Sequence, residues 1–146
     1  MKKLPMSQES LHPQLSSIEI ETELKKAGLR PTVQRCIISD YVLNHAEHPS
    51  VETIKTWVDK HYTGISLATV YNTVHALESA GLVHAIRFDH SDKVFYDTNT
   101  TLHHHFLDEK TGELIDIDPD KIEVNAKLSE GMSINEISVL IRGERA

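Results

Sequence analysis

His103-His104-His105 lies between Leu102 and Phe106, with Asp97 upstream and Asp108, Glu109 and Asp116 downstream. Neutral imidazole is the commonest metal ligand in proteins, and carboxylates add hard oxygen donors. A strand through residues 103–107 alternates its side chains between two faces. His103 and His105 then share one face, and His104 points to the other. Asp97 before them and Asp116 after them complete a nitrogen/oxygen set suited to iron(II), manganese(II) or zinc. The competing reading is a histidine-rich surface strand beside a solvated acidic turn. Cys36 is the single cysteine, which permits no internal disulfide and no four-thiolate zinc site. It reads as a small buried residue on a helix.

The totals bound what surrounds this stretch. With 146 residues, 39% of them hydrophobic and 25% charged, the chain fits one soluble domain or two very small ones. From Asp89 onward it carries six basic and thirteen acidic side chains, which is the whole net charge of −7. The first 88 residues are therefore neutral and compatible with binding nucleic acid, and the remainder is an acidic half. No apolar run follows the basic start Met1-Lys2-Lys3, so no signal peptide is expected. Nothing approaches the roughly 20 apolar residues of a membrane span. A cytoplasmic protein without membrane contact is the expectation.

The elements that must position the histidines read as follows. Residues 1–17 form a flexible N-terminal arm. Ser16 and Glu19 have capping-box spacing for a first helix that stops at Gly28. Thr32 caps a second helix, which ends before His48-Pro49 because the residue before proline avoids helical dihedrals. Ser50 caps a third helix, and Ser66 a fourth running from Leu67 to Ala80. Val70, Val74 and Leu77 form the apolar stripe of that fourth helix. Its opposite side carries Ala68, Asn72 and Ala76, flanked by Thr69, Tyr71 and His75. Small and hydrogen-bonding side chains suit a helix that enters a major groove. Residues 83–89 and 93–97 read as a hairpin, with His90-Ser91-Asp92 as its turn. Helices followed by a two-stranded ribbon make a winged helix-turn-helix whose fourth helix reads DNA. Strands over 102–108, 113–117 and 133–142 form a second unit too small to bury enough apolar surface alone, so dimerisation through its sheet is expected. The fold class is α+β: an N-terminal winged helix-turn-helix over 18–97 and a small C-terminal α/β dimerisation and metal-sensing domain over 98–146.

Taken together, Gly28-Leu-Arg-Pro-Thr-Val-Gln-Arg35, His48-Pro-Ser-Val-Glu52, Ser66-Leu-Ala-Thr-Val-Tyr-Asn-Thr73, Gly81-Leu-Val83, Phe95-Tyr-Asp97, His103-His-His105 and Gly112-Glu-Leu-Ile-Asp116 resemble the ferric uptake regulator (Fur) superfamily of repressors. The resemblance runs in family order from about residue 18 to 142. It implies a dimeric, metal-dependent transcriptional repressor that binds double-stranded DNA at an A/T-rich palindromic operator. It also adds His48 to the ligands, giving a regulatory site of His48, Asp97, His103, His105 and Asp116 that draws on both domains. Fe2+ or Mn2+ is the expected ion there, with Zn2+ as an in vitro substitute. Candidate DNA contacts are Arg30, Thr32, Arg35, Lys55, Ser66, Thr69, Tyr71 and Asn72, with Lys60 as a further phosphate contact.

Two departures from the family pattern matter. The family's usual structural zinc site needs two Cys-X-X-Cys pairs. Asp108 and Thr111 occupy the first pair's positions and the second pair is missing, so no structural zinc is expected. Asp97 stands where iron-sensing members usually carry glutamate. An aspartate there resembles the peroxide-sensing branch (PerR), which implies iron-catalysed oxidation of a ligand histidine, His48 or His103. The iron response regulator (Irr) branch, which answers to iron or haem, is the alternative, with haem as its ligand and His104 as a secondary metal or haem residue. A small metalloenzyme is a distant alternative. No nucleophile or general-base constellation accompanies the histidines, so the protein is not expected to be an enzyme.

Overall fold

The computed structural model describes residues 14–99 and 101–146. Two compact units divide at Thr100 and Thr101. The expected arm lies outside the described residues up to residue 13. Its last residues are anchored rather than loose: Leu15 N–H donates to Asn44 Oδ1 at 2.9 Å, and Asn44 Nδ2 donates back to the Leu15 carbonyl at 2.9 Å.

The first unit contains α1 (Ser17–Lys26), α2 (Val33–Asp40), α3 (Val51–His61), α4 (Leu67–Ser79), β1 (His84–Phe88) and β2 (Ser91–Asp97). Each helix starts at a hydroxyl that accepts a backbone N–H three residues on: Ser16, Thr32, Ser50 and Ser66. At Ser16 the capping box with Glu19 is complete. Gly28 and Gly81 end α1 and α4 in left-handed backbone, which lets the Leu29 and Leu82 N–H groups reach back to the Leu24 and Leu77 carbonyls. α2 does not simply stop. It widens into one π-helical turn, Tyr41–His45, in which the Ala46 N–H reaches the Tyr41 carbonyl. Such turns recur beside functional loops, and this one delivers the chain to His48.

Leu24, Ile38, Val42, Ile54, Val58, Val70 and Val74 are fully buried and bind the four helices together. Each such burial contributes about 1.5–3 kcal/mol. Thr73 and Ala76 of α4 are buried too. That corrects the expected exposed face: Ala76 packs inward, and the outward side chains are Leu67, Ala68, Tyr71, Asn72 and His75. Position 76 lies three residues from Thr73 and two from Val74, at the edge of the apolar stripe, so α4 buries a broader sector than a three-residue stripe suggests.

β1 and β2 form an antiparallel ribbon in register His84↔Asp97. Its turn is tighter than the expected three residues, because β2 already begins at Ser91.

The second unit is a three-stranded sheet in the order β4 (Leu114–Ile117), β3 (His104–Asp108), β5 (Leu140–Gly143). β3 runs antiparallel to β4 and parallel to β5. A last strand over 133–142 is corrected to these four residues. Ile134 is half exposed and residues 133–139 make no ladder, although Val139 begins the backbone contact with β3. Between β4 and β5 the one regular feature is a 3-10 turn at Pro119–Lys121.

Candidate metal centre

Each unit carries part of the candidate ligand set. In the first, His48 Nε2 stands 3.4 Å from Asp97 Oδ2. Two backbone contacts set this pair. The Tyr96 N–H donates to the Pro49 carbonyl at 2.9 Å, tying the strand that ends in Asp97 to the residue after His48. The Asn99 N–H donates to Asp97 Oδ1 at 2.9 Å, which holds one oxygen and leaves Oδ2 toward the imidazole. His48 itself has φ +42°, the one positive value at a non-glycine residue among those described. A bulky side chain in left-handed backbone is strained, and such strain clusters at functional sites.

In the second unit, His103 Nε2 lies 3.1 Å and His105 Nε2 3.4 Å from the same atom, Asp116 Oδ1. The ligand atoms of these three residues all fall within 4.8 Å of one another. Strand geometry places His105, the direct cross-strand partner of Asp116; His103 stands one residue before β3 begins, not inside the strand expected over 103–107, and still turns to the same carboxylate. Both imidazoles are more than nine-tenths buried, while Asp116 keeps about a quarter of its side chain exposed.

The hydrogen bonds of His103 decide what the cluster can hold. Its Nδ1 lies 2.6 Å from the Thr101 carbonyl, which can only accept, so Nδ1 carries the proton. In neutral His103 the lone pair is then on Nε2, aimed at a carboxylate oxygen 3.1 Å away. Two lone pairs at that separation repel unless a cation lies between them. Either a second proton makes an imidazolium, or a metal ion takes both donors. The Thr101 carbonyl is the kind of outer partner that would orient a metal-binding histidine. Sequence reasoning missed it, because a backbone acceptor leaves no side-chain signature. Nitrogen and oxygen donors without thiolate match iron(II), manganese(II) or zinc.

His104 faces the other way. It is buried, and its Nδ1 accepts the Val139 N–H at 3.1 Å. That commits the lone pair of the neutral ring, so Nε2 bears the proton and has no pair to offer a metal or haem. In this geometry the His104 lone pair fastens the chain just before β5, which counts against the expected secondary role of the residue.

The candidate DNA contacts all lie in the first unit. Arg30, Tyr71 and Asn72 are exposed, Tyr71 at 41%. Thr32 and Ser66 are exposed but also act as helix caps. Arg35 folds back on the Arg30 carbonyl at 2.7 Å, Lys55 pairs with Asp59, and Thr69 Oγ1 bonds Ser66 Oγ at 2.9 Å. Leu67, the first residue of α4, is 46% exposed and is not among the expected DNA contacts.

A family model, the ferric uptake regulator family, matches residues 26–142. The peroxide-responsive repressor PerR of Staphylococcus epidermidis is 34% identical over 108 residues, which is 70% of this chain and 71% of the relative. The ferric uptake regulator of Pseudomonas aeruginosa, solved with manganese, superposes with a TM-score of 0.61 at 26% identity, covering 86% of this chain and 97% of that one. The Vibrio cholerae ferric uptake regulator gives a TM-score of 0.68 at 23% identity over 86% and 98% of the two chains, a likeness of fold. Among the described residues no helix is long and apolar enough to cross a membrane.

Proposed function

This chain belongs to the ferric uptake regulator family, and from that premise we propose that it is a metal-dependent, dimeric repressor of transcription that responds to peroxide. Its role is regulatory rather than catalytic. One observation carries the proposal: His103 and His105 converge on Asp116 with the His103 tautomer fixed for metal binding. His48 and Asp97 supply the other donors, and the five residues together hold one iron(II) or manganese(II) ion. Binding energy that needs donors from both units selects one arrangement of them, and DNA affinity follows that arrangement.

The chain's own residues do three things in this scheme. Asp97 and Asp116 supply the negative charge that retains a dication. Thr101 and the Pro49–Tyr96 contact hold His103 and the His48 loop in place before the ion arrives. α4 presents Tyr71 and Asn72 for base contact in a major groove, while Arg30 is placed for phosphate. When iron(II) is bound it supplies the redox chemistry that turns hydrogen peroxide on a neighbouring imidazole. His48 and His103 are the redox-sensing residues, because oxidation of either ring removes a nitrogen donor and with it metal-dependent DNA binding. Manganese(II) fills the site without that reactivity. The similarity to peroxide-responsive repressors supports this branch, and so does aspartate at position 97. The Val139 N–H on the His104 lone pair counts against the haem-responsive alternative.

Dimerisation is supported by the second unit's own surface. Val124, Leu128, Met132, Ile134 and Ile141 are all at least 41% exposed on a unit of only 46 residues. So many exposed apolar side chains on so small a unit suit a partner surface.

The test is a mobility shift on an A/T-rich palindromic operator, with manganese(II) and with chelator, for the wild-type protein and His103→Ala. Metal-dependent retardation that disappears in the variant is the expected result. Equal operator affinity and metal content in the two proteins would remove the assignment. Mass spectrometry of the iron-loaded protein after peroxide should find one added oxygen atom on His48 or His103. Peroxide release of DNA with both rings unmodified would refute the sensing step.

A further inference from the structure

We propose that Arg145 is a positioning residue for the metal-ligand cluster of the second unit: its guanidinium clasps Asp108 at the end of β3 and Glu113 just before β4, and so holds all three strands in the register that brings His105 to Asp116. This rests on the metal-ligand reading of those residues.

Asp108 is 2% exposed, and a buried carboxylate is stable only when its oxygens are engaged. Oδ1 accepts the Lys110 N–H at 3.0 Å and the Thr111 N–H at 3.3 Å. Oδ2 accepts Arg145 Nε at 3.0 Å. A second guanidinium nitrogen donates to Glu113 Oε2. The guanidinium thus bridges a residue of β3 and one at the head of β4 from a position just after β5. Beside it, the Glu109 N–H donates to the Gly143 carbonyl at 2.8 Å and Arg142 pairs with Glu109. The hydrogen bond from Arg145 is the main reason the Asp108 carboxyl is held below the usual carboxylate range, with the two backbone N–H groups assisting and burial opposing.

A cation does not fit this corner. Both oxygens of Asp108 already meet N–H donors or a positive guanidinium, and Thr111 offers no thiolate. The resemblance to the Fur superfamily puts a zinc-binding Cys-X-X-Cys pair at positions 108 and 111. Here an ion pair fastens the sheet instead.

The link to the ligands runs through register. At its other end β5 is fastened beside the histidines, where the Val139 carbonyl accepts the His105 N–H at 3.1 Å and the Val139 N–H donates to His104. Side chains alternate with period two, so a slip of one residue would present His104 where His105 stands. The clasp and the His104 contact hold β5 at its two ends, and the short β3 between them has no freedom to shift.

The test uses the full-length, manganese-loaded protein and the variants Arg145→Gln and Arg145→Lys. Two quantities are read: manganese(II) affinity by competition with a fluorescent chelator, and hydrogen exchange of the His105 and Glu109 amides. The Gln variant should bind manganese about two- to thirtyfold more weakly, the range expected when a residue acts through others. Both amides should exchange faster in it, and Lys should recover part of each loss. Wild-type values in the Gln variant, or Gln and Lys variants that cannot be told apart, would overturn the clasp. Should the Gln variant fail to fold, the Lys variant against wild type makes the same comparison. A wild-type protein that binds no manganese refutes the metal reading, and the exchange data still judge Arg145.

Discussion

Asp116→Asn isolates the charge of the one oxygen that faces two imidazoles. Asparagine keeps the shape and a carbonyl oxygen, so packing around β4 is preserved. Asp116 Oδ1 stands 3.1 and 3.4 Å from the two Nε2 atoms. At such a distance, with a side chain still about a quarter exposed and an effective dielectric between the ~20 of a protein surface and the ~80 of water, a unit charge interacts with another by about 1–5 kcal/mol. A dication doubles the attraction, and the extra desolvation of the carboxylate returns part of it. The net loss should be about 2–3 kcal/mol, or roughly 30- to 150-fold in manganese(II) affinity. Competition against a fluorescent chelator at pH 7.5 measures this directly, and circular dichroism confirms that the variant is folded. A folded Asp116→Asn protein that binds manganese within threefold of wild type would refute the idea that this oxygen helps hold the ion.

Three further outcomes follow from the geometry. His104→Leu leaves the Val139 N–H without its acceptor and should destabilise the protein by about 1–3 kcal/mol, seen as a lower melting temperature, while the metal stoichiometry stays unchanged. Ser66→Ala removes the cap of α4 and should cost about 1 kcal/mol in a denaturant titration, and it should weaken operator binding because the first turn of the reading helix frays. The third concerns acid. The folded-state pKa of Asp108 is depressed, mainly by Arg145, so its contribution to stability is present above the unfolded carboxylate range and is lost as pH falls through the folded value. Arg145→Gln should therefore move the acid unfolding of the second unit to higher pH, which a circular dichroism titration reads; an unchanged midpoint would contradict the ion pair.

Local features were legible from the residues. Four hydroxyl caps stood ahead of apolar periodicity, and all four begin helices, because a cap acts on a backbone N–H only three residues away. The α+β class followed from helices giving way to alternating strands. What escaped notice depends on distant partners. The π-helical turn at Tyr41–His45 needs a carbonyl to skip one residue, and no residue type announces that. Val139 meets His104 across 35 residues and Arg145 meets Asp108 across 37, so neither contact has a local signal. Ala76 was misplaced because alanine is small enough for either side of a helix, and the packing around it decides. Within the candidate ligand set, the pairing of 103 with 105 was readable from their spacing, although the strand itself begins only at His104. The tautomer of His103 was not, since the Thr101 carbonyl that sets it belongs to the main chain.

The left-handed backbone at His48 sets this loop against its own stability. Holding a β-carbon there costs on the order of 1–3 kcal/mol, and glycine would relieve it. Glycine, however, brings no ring nitrogen. On the proposed function, sequences drifting toward a sturdier fold would settle on glycine here and emerge deaf to the signal, so the tension at this position is what sensing would have to keep against the pull of the scaffold.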